Sequence, residues 1–138
     1  MKKLAALILV VTIIATMIIP ASAAEITASP YYINTNQAMV VLTISDSGLA
    51  EITVLCTANS NATKIQTTTY LERKVGSSWV RVSNGQVNNQ WTASTTARYF
   101  VKDYSCQLST TGTYRAVAVF TVSGTQSETF TLYSEDIY

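Results

Sequence analysis

Leu49-Ala-Glu-Ile-Thr-Val-Leu-Cys-Thr-Ala58 is the stretch whose reading decides the fold. Ala50, Ile52, Val54, Cys56 and Ala58 fall on alternate positions, so an extended backbone carries all five to one face. The residues between them mix polar and apolar side chains, as the wetter face of a half-covered sheet does. Asp46-Ser47-Gly48 precedes the stretch and Asn59-Ser60-Asn61 ends it, both of turn composition. A ten-residue period-two segment between turns predicts an antiparallel strand with one buried face.

Working outward, the same pattern recurs. Ala38 to Ser45 lies just before, and Ile65 to Lys74, Trp79 to Ser83, Ala97 to Leu108, Gly112 to Val122 and Glu128 to Ser134 follow. No window after residue 24 repeats apolar residues at helical spacing for three turns. About seven short strands at this spacing predict an all-β chain, a single antiparallel sandwich. Threonine and serine, 21 and 14 residues, suit strands and their turns better than helices.

Two hairpin registers can be set by side-chain pairing. Placing Lys74 opposite Trp79 brings Glu72 opposite Arg81, whereas a one-residue slip opposes Arg73 to Arg81. The preferred register turns Tyr70, Glu72, Lys74, Trp79 and Arg81 outward, with Leu71, Val80 and Val82 expected inside. For the last hairpin, turning at Ser123-Gly124-Thr125, pairing Val122 with Gln126 sets Ala118 beside Phe130 and Ala116 beside Leu132. Val117, Val119, Thr129, Thr131 and Tyr133 then face outward.

Met1 to Ala24 reads as a secretory signal peptide, leaving residues 25–138 as the domain. Lys2 and Lys3 precede an apolar run from Leu4 to Ile19, Pro20 breaks it, and Ala21-Ser22-Ala23 offers a small-x-small cleavage site. The expected product is secreted and extracellular, with no membrane attachment. Removing two lysines from nine basic residues leaves seven against eight acidic ones, a side-chain sum of −1. A nucleic-acid partner is therefore not expected.

Leu108-Ser-Thr-Thr-Gly112-Thr-Tyr114-Arg-Ala116 resembles the approach to strand F of immunoglobulin-like domains. There the tyrosine turns a corner by hydrogen-bonding to upstream backbone. Thr110 stands where that family has Asp and Ala116 where it has Cys, so the usual disulfide between strands B and F is excluded. Gly112 and Tyr114 are the structural corner that this resemblance implies. The layout also resembles small exported proteins of Gram-positive bacteria with no characterised function. Tyr70-Leu-Glu-Arg-Lys-Val-Gly-Ser-Ser-Trp79-Val-Arg-Val82, Gly112-Thr-Tyr-Arg115 and Ser127-Glu-Thr-Phe130 carry that likeness, which brings no catalytic residue with it.

The chain has no histidine and two cysteines. Metal sites and Cys–His or Ser–His chemistry lack their ligands and bases, and no cofactor is expected. Cys56 and Cys106 share the inward phase of their strands. Were those strands neighbours, as B and E are in the immunoglobulin arrangement, a disulfide would be expected, contributing roughly 4 kcal/mol. The alternative is two buried free thiols. Asp46, Glu51, Glu72, Asp103 and Glu128 are scattered, and a hydrolase would need two of them to converge.

The aromatic residues are the better lead. Tyr70, Trp79, Arg81, Val117, Val119 and Tyr133 share one outer face if the two hairpins are neighbours, and such a patch marks an interaction surface. Competing readings have Tyr31 and Tyr32 covering it, or the indole lying on arginine stems. Trp91, beside Asn89 and Gln90, suits a sugar platform, or else anchors an edge strand to the core. The sequence thus describes a secreted, non-enzymatic binding or structural module for an extracellular protein or envelope component. Carbohydrate binding through an exposed Trp is the alternative, with a hydrolase a remote third.

Overall fold

The computed structural model describes residues 32–138. The signal peptide read at Met1–Ala24 and the proposed cover residue Tyr31 lie outside the described residues. Eight strands follow in order: β1 (Thr35–Ile44), β2 (Leu49–Ala58), β3 (Lys64–Val75), β4 (Ser78–Arg81), β5 (Trp91–Thr95), β6 (Tyr99–Gln107), β7 (Thr113–Ser123) and β8 (Ser127–Ile137). Among the described residues, one 3₁₀ turn, Val87–Asn89, precedes β5.

The strands form two antiparallel sheets. One has the order β1-β2-β6; the other has the order β4-β3-β7-β8, with β5 pairing the first half of β3. Strand β3 is long enough, at 12 residues, for β5 and β4 to pair different parts of it. This is an immunoglobulin-like β-sandwich: the expected B-beside-E and C-beside-F contacts are β2–β6 and β3–β7. The alternation in β2 holds in full, with Ala50, Ile52, Val54, Cys56 and Ala58 all buried. They meet Ile65, Leu71, Ala116, Ala118, Phe120 and Val122 from the other sheet. Strand β5 was not among the expected seven. Its residues Trp-Thr-Ala-Ser-Thr are short and mostly small, and only the neighbouring β3 completes them.

The first hairpin has the expected register, Lys74 opposite Trp79 and Glu72 opposite Arg81. Val80, expected inside, is 50% exposed, because β4 is an edge strand lying beyond the rim of the opposite sheet. The last hairpin is displaced by two residues from expectation, with Val122 opposite Glu128, Phe120 opposite Phe130 and Ala118 opposite Leu132. A two-residue slip keeps every side chain on its face. Aromatic packing favours it: Phe120 stacks on Phe130 at 5.1 Å, and Tyr32 also stacks on Phe130, at 4.1 Å.

The disulfide expectation is overturned by register. Strands β2 and β6 do pair, but Cys56 sits opposite Phe100 and Cys106 opposite Ala50. Six residues of strand at about 3.4 Å each separate the two thiols by roughly 20 Å, against the ~7 Å that a disulfide tolerates between Cα atoms. Both cysteines are free.

On the side where β1 faces β8, polar side chains join the sheets. Glu128 accepts hydrogen bonds from Ile33 N, Asn34 N and the Thr35 hydroxyl. Ser134 accepts from Leu42 N and Asp136 from Ile44 N. The free edge of β1 is thereby occupied, which removes its backbone donors from competition. Near the start of β7, Tyr114 is buried and its hydroxyl donates to the Thr110 carbonyl, the corner that the sequence resemblance implied. Burial raises its pKa, partly offset by the nearby Arg73 charge. Gly112 takes φ +147° between them, a conformation that side chains other than glycine rarely adopt.

Candidate functional site

The outer face of the β4-β3-β7-β8 sheet is built from two adjacent cross-strand rows. The first runs Arg81, Glu72, Arg115, Glu135, one residue from each strand, with the charge alternating in sign. Opposite charges directly across a sheet stabilise its register. The second runs Tyr70, Val117, Tyr133. Trp79 lies beside the first row, opposite Lys74.

The arginines tie these rows together. Arg81 lies over Tyr70, its guanidinium carbon 3.5 Å from the ring centroid. Arg115 sits between Trp79 at 4.3 Å and Tyr133 at 4.8 Å, while the Lys74 amine lies 5.9 Å from the Trp79 ring. Glu72 fixes Arg115 in place, one carboxylate oxygen receiving both its Nε and a terminal nitrogen at 2.7 Å. Each cation–π contact contributes about 0.5–2 kcal/mol depending on its desolvation.

Of the six residues expected here, Tyr70, Trp79, Arg81, Val119 and Tyr133 do share this face. Val117 points outward in phase, yet it is only 1% exposed between Tyr70 and Tyr133, so it is the floor of the face and not its surface. Tyr133 is 53% exposed, and Arg81 is also exposed. Tyr32 does not cover the face, since it is stacked on Phe130 of the inner side. The indole does lie on an arginine, as the second competing reading had it. Arg115 was missed as a member, although its position two residues before Val117 already gave it the outward phase.

Trp91 defines a second location. It is half-buried, packed on the core rim, and its ring stacks on Tyr104 of the opposite sheet at 5.1 Å and 13°. That pair bridges the gap between β5 and β6. Beside it lies an open groove of about 440 Å³ lined by Gln86, Asn88, Gln90, Trp91, Thr92 and Tyr104, together with the exposed Val87. Asn89, expected as a sugar contact, is not in the lining; Asn88 and Gln86 are. Asn88 and Asn89 both adopt left-handed backbone, φ 56° and 52°, which asparagine accepts more readily than most residues. Gln90 accepts a hydrogen bond from Arg81 through Oε1 at 3.3 Å, which leaves its Nε2 as the donor available to the groove. Burial raises the pKa of the Tyr104 phenol, eased slightly by the neighbouring Thr67 hydroxyl. Neither of these hydroxyls, nor that of Thr69, makes a hydrogen bond of ordinary geometry among the described residues.

The acidic residues remain dispersed in function. Glu72 serves Arg115, and Glu128 serves the start of β1. Glu51 and Asp103 flank a shallow depression on the outer side of β2 and β6, but both are exposed and Asp103 accepts from the Thr53 hydroxyl. A glycosidase acid needs a desolvated carboxyl, which this surface does not provide. Among the described residues no three Cys, Asp or Glu side chains gather as metal ligands. Burial pushes the Cys56 thiol up to about 11, and the Glu128 charge adds to it, so this cysteine is no nucleophile near neutral pH.

Compared with known proteins, the chain matches no family model and no curated protein. A solved structure similar to it is the crystal structure of the CARDB domain of the PF1109 protein from Pyrococcus furiosus in complex with di-metal ions. It is 16% identical with a TM-score of 0.40, over 78% of this chain and 94% of that one.

Proposed function

We propose that this chain is a secreted, non-enzymatic binding module that engages an extracellular protein or cell-envelope component through the outer face of β4-β3-β7-β8. The observation that carries this reading is the joining of Tyr70, Trp79, Arg81, Arg115 and Tyr133 into one surface spanning four strands. Tyrosine, tryptophan and arginine are the residues that dominate binding energy at protein interfaces. Their mutual contacts hold the rings and guanidinium groups before a partner arrives, which lowers the ordering cost of association. The likeness to small exported Gram-positive proteins supports the extracellular setting, as does the export segment read in the sequence.

The test is site-specific photo-crosslinking on producing cells. A benzophenone side chain at Thr131, exposed beside Tyr133, is expected to give discrete adducts that Trp79→Ala abolishes. The same probe at Glu51, exposed on the opposite sheet, is the control. Equal labelling from both positions, or adducts indifferent to Trp79→Ala, would overturn the assignment.

A further inference from the structure

We infer that the groove beside the Trp91–Tyr104 stack is a separate binding site for a neutral saccharide. Its lining contains two aromatic rings, three primary amides and one threonine hydroxyl, and no charged side chain. That chemistry selects among ligands. A phosphate, carboxylate or ammonium group finds no counter-charge in the lining, and a purely apolar ligand would strand the amides without partners. A sugar ring satisfies both halves, presenting C–H groups to an aromatic face and hydroxyls to the side-chain amides. A volume of about 440 Å³ accommodates one to two sugar residues, within the range of small-ligand sites.

The groove is also held in shape. Trp91 is fixed by its stack on Tyr104 and by β5 pairing, where it stands opposite Thr69. Consecutive left-handed asparagines set the loop that carries Gln86 and Asn88, with Asn89 N bonded to Gln86 O at 3.0 Å. Arg81 binds the Gln90 carbonyl oxygen and so aims the amide nitrogen as a donor.

The site is distinct from the aromatic–arginine face and its failure leaves that reading untouched, because the two use different side chains apart from the Arg81–Gln90 contact. The experiment uses the secreted protein on an array of neutral β-glucan, chitin and mannan oligosaccharides. Hits are titrated by tryptophan fluorescence in a Trp79→Phe background, where Trp91 is the sole indole. Binding of at least one oligosaccharide is expected, with a change in Trp91 emission. Trp91→Phe, titrated by isothermal calorimetry because it removes the reporting indole, should weaken it. Asn88→Gly keeps the left-handed backbone while deleting the amide, and is expected to lower affinity about tenfold with an unchanged circular-dichroism spectrum. No binding at millimolar oligosaccharide, or binding that both variants leave intact, overturns the inference.

Discussion

Glu128 is the residue through which β8 holds the beginning of β1, and Glu128→Ala removes one acceptor from three donors. The distances are 2.6 Å to Ile33 N, 3.1 Å to Asn34 N and 2.6 Å to the Thr35 hydroxyl. Hydrogen bonds to an ionised group contribute about 1.5–3 kcal/mol each when sheltered. Ile33 is 50% exposed, so its N–H regains water and counts for little. Asn34 and Thr35 are 1% and 6% exposed, so their donors are left with no partner. Two sheltered bonds at the lower limit give a loss of about 3 kcal/mol for alanine. Glu128→Gln keeps one acceptor oxygen without the charge and should lose roughly half of that. Urea unfolding by tryptophan fluorescence measures both, with the slope of the transition unchanged. Thr35→Val combined with Glu128→Ala completes a double-mutant cycle, expected to show coupling of about 1 kcal/mol or more. A Glu128→Ala midpoint within about 0.5 kcal/mol of the parent would show that water replaces the carboxylate fully, and that these bonds do not hold β1 to β8.

Tyr114→Phe removes the donor to the Thr110 carbonyl and should cost on the order of 1 kcal/mol in the same unfolding assay; an unchanged midpoint would refute a stabilising corner. Gly48→Ala places a Cβ 2.6 Å from the Tyr138 ring at φ +80°, so a loss of about 2 kcal/mol is expected, partly recovered by adding Tyr138→Ala. Without reductant, alkylation of the unfolded protein should label both Cys56 and Cys106, and non-reducing mass analysis should show no disulfide. Cys56 also makes stability depend on alkaline pH. Its thiol ionises near 9.0 when unfolded and about 11 when folded, so between these values the unfolded chain binds fewer protons and stability falls as pH rises. The fall is at most about 1.4 kcal/mol per pH unit across that window, nothing is lost below it, and Cys56→Ala should flatten the profile.

Much of this was legible in the chain because strand periodicity is local. The alternation of Ala50 to Ala58 set which face of β2 is buried, and the like-charge conflict between Arg73 and Arg81 selected the register of the first hairpin. The Gly112-Thr-Tyr114 turn announced its corner for the same reason: donor and acceptor are only four residues apart. The outward phase of Tyr70, Trp79, Arg81 and Tyr133 followed from the same period of two, and β3–β7 pairing brought them together.

Tertiary packing decided what alternation leaves open. A phase repeats every two residues, so it cannot distinguish registers that differ by two; the stacking of Phe120, Phe130 and Tyr32 made that choice in the last hairpin. Nor can phase say how far along a strand two residues stand, which is why Cys56 and Cys106 share a face and lie at opposite ends of it. Val117 and Val80 reversed their expected exposure because burial depends on what neighbouring strands place over a side chain, and only the assembled sheets determine that. The sequence by itself therefore determined the fold class, the faces and the residue types of the aromatic–arginine face. The packed structure determined the registers of the last hairpin and of β2 against β6, the eighth strand and the groove at Trp91, since each depends on packing beyond the local strand pattern.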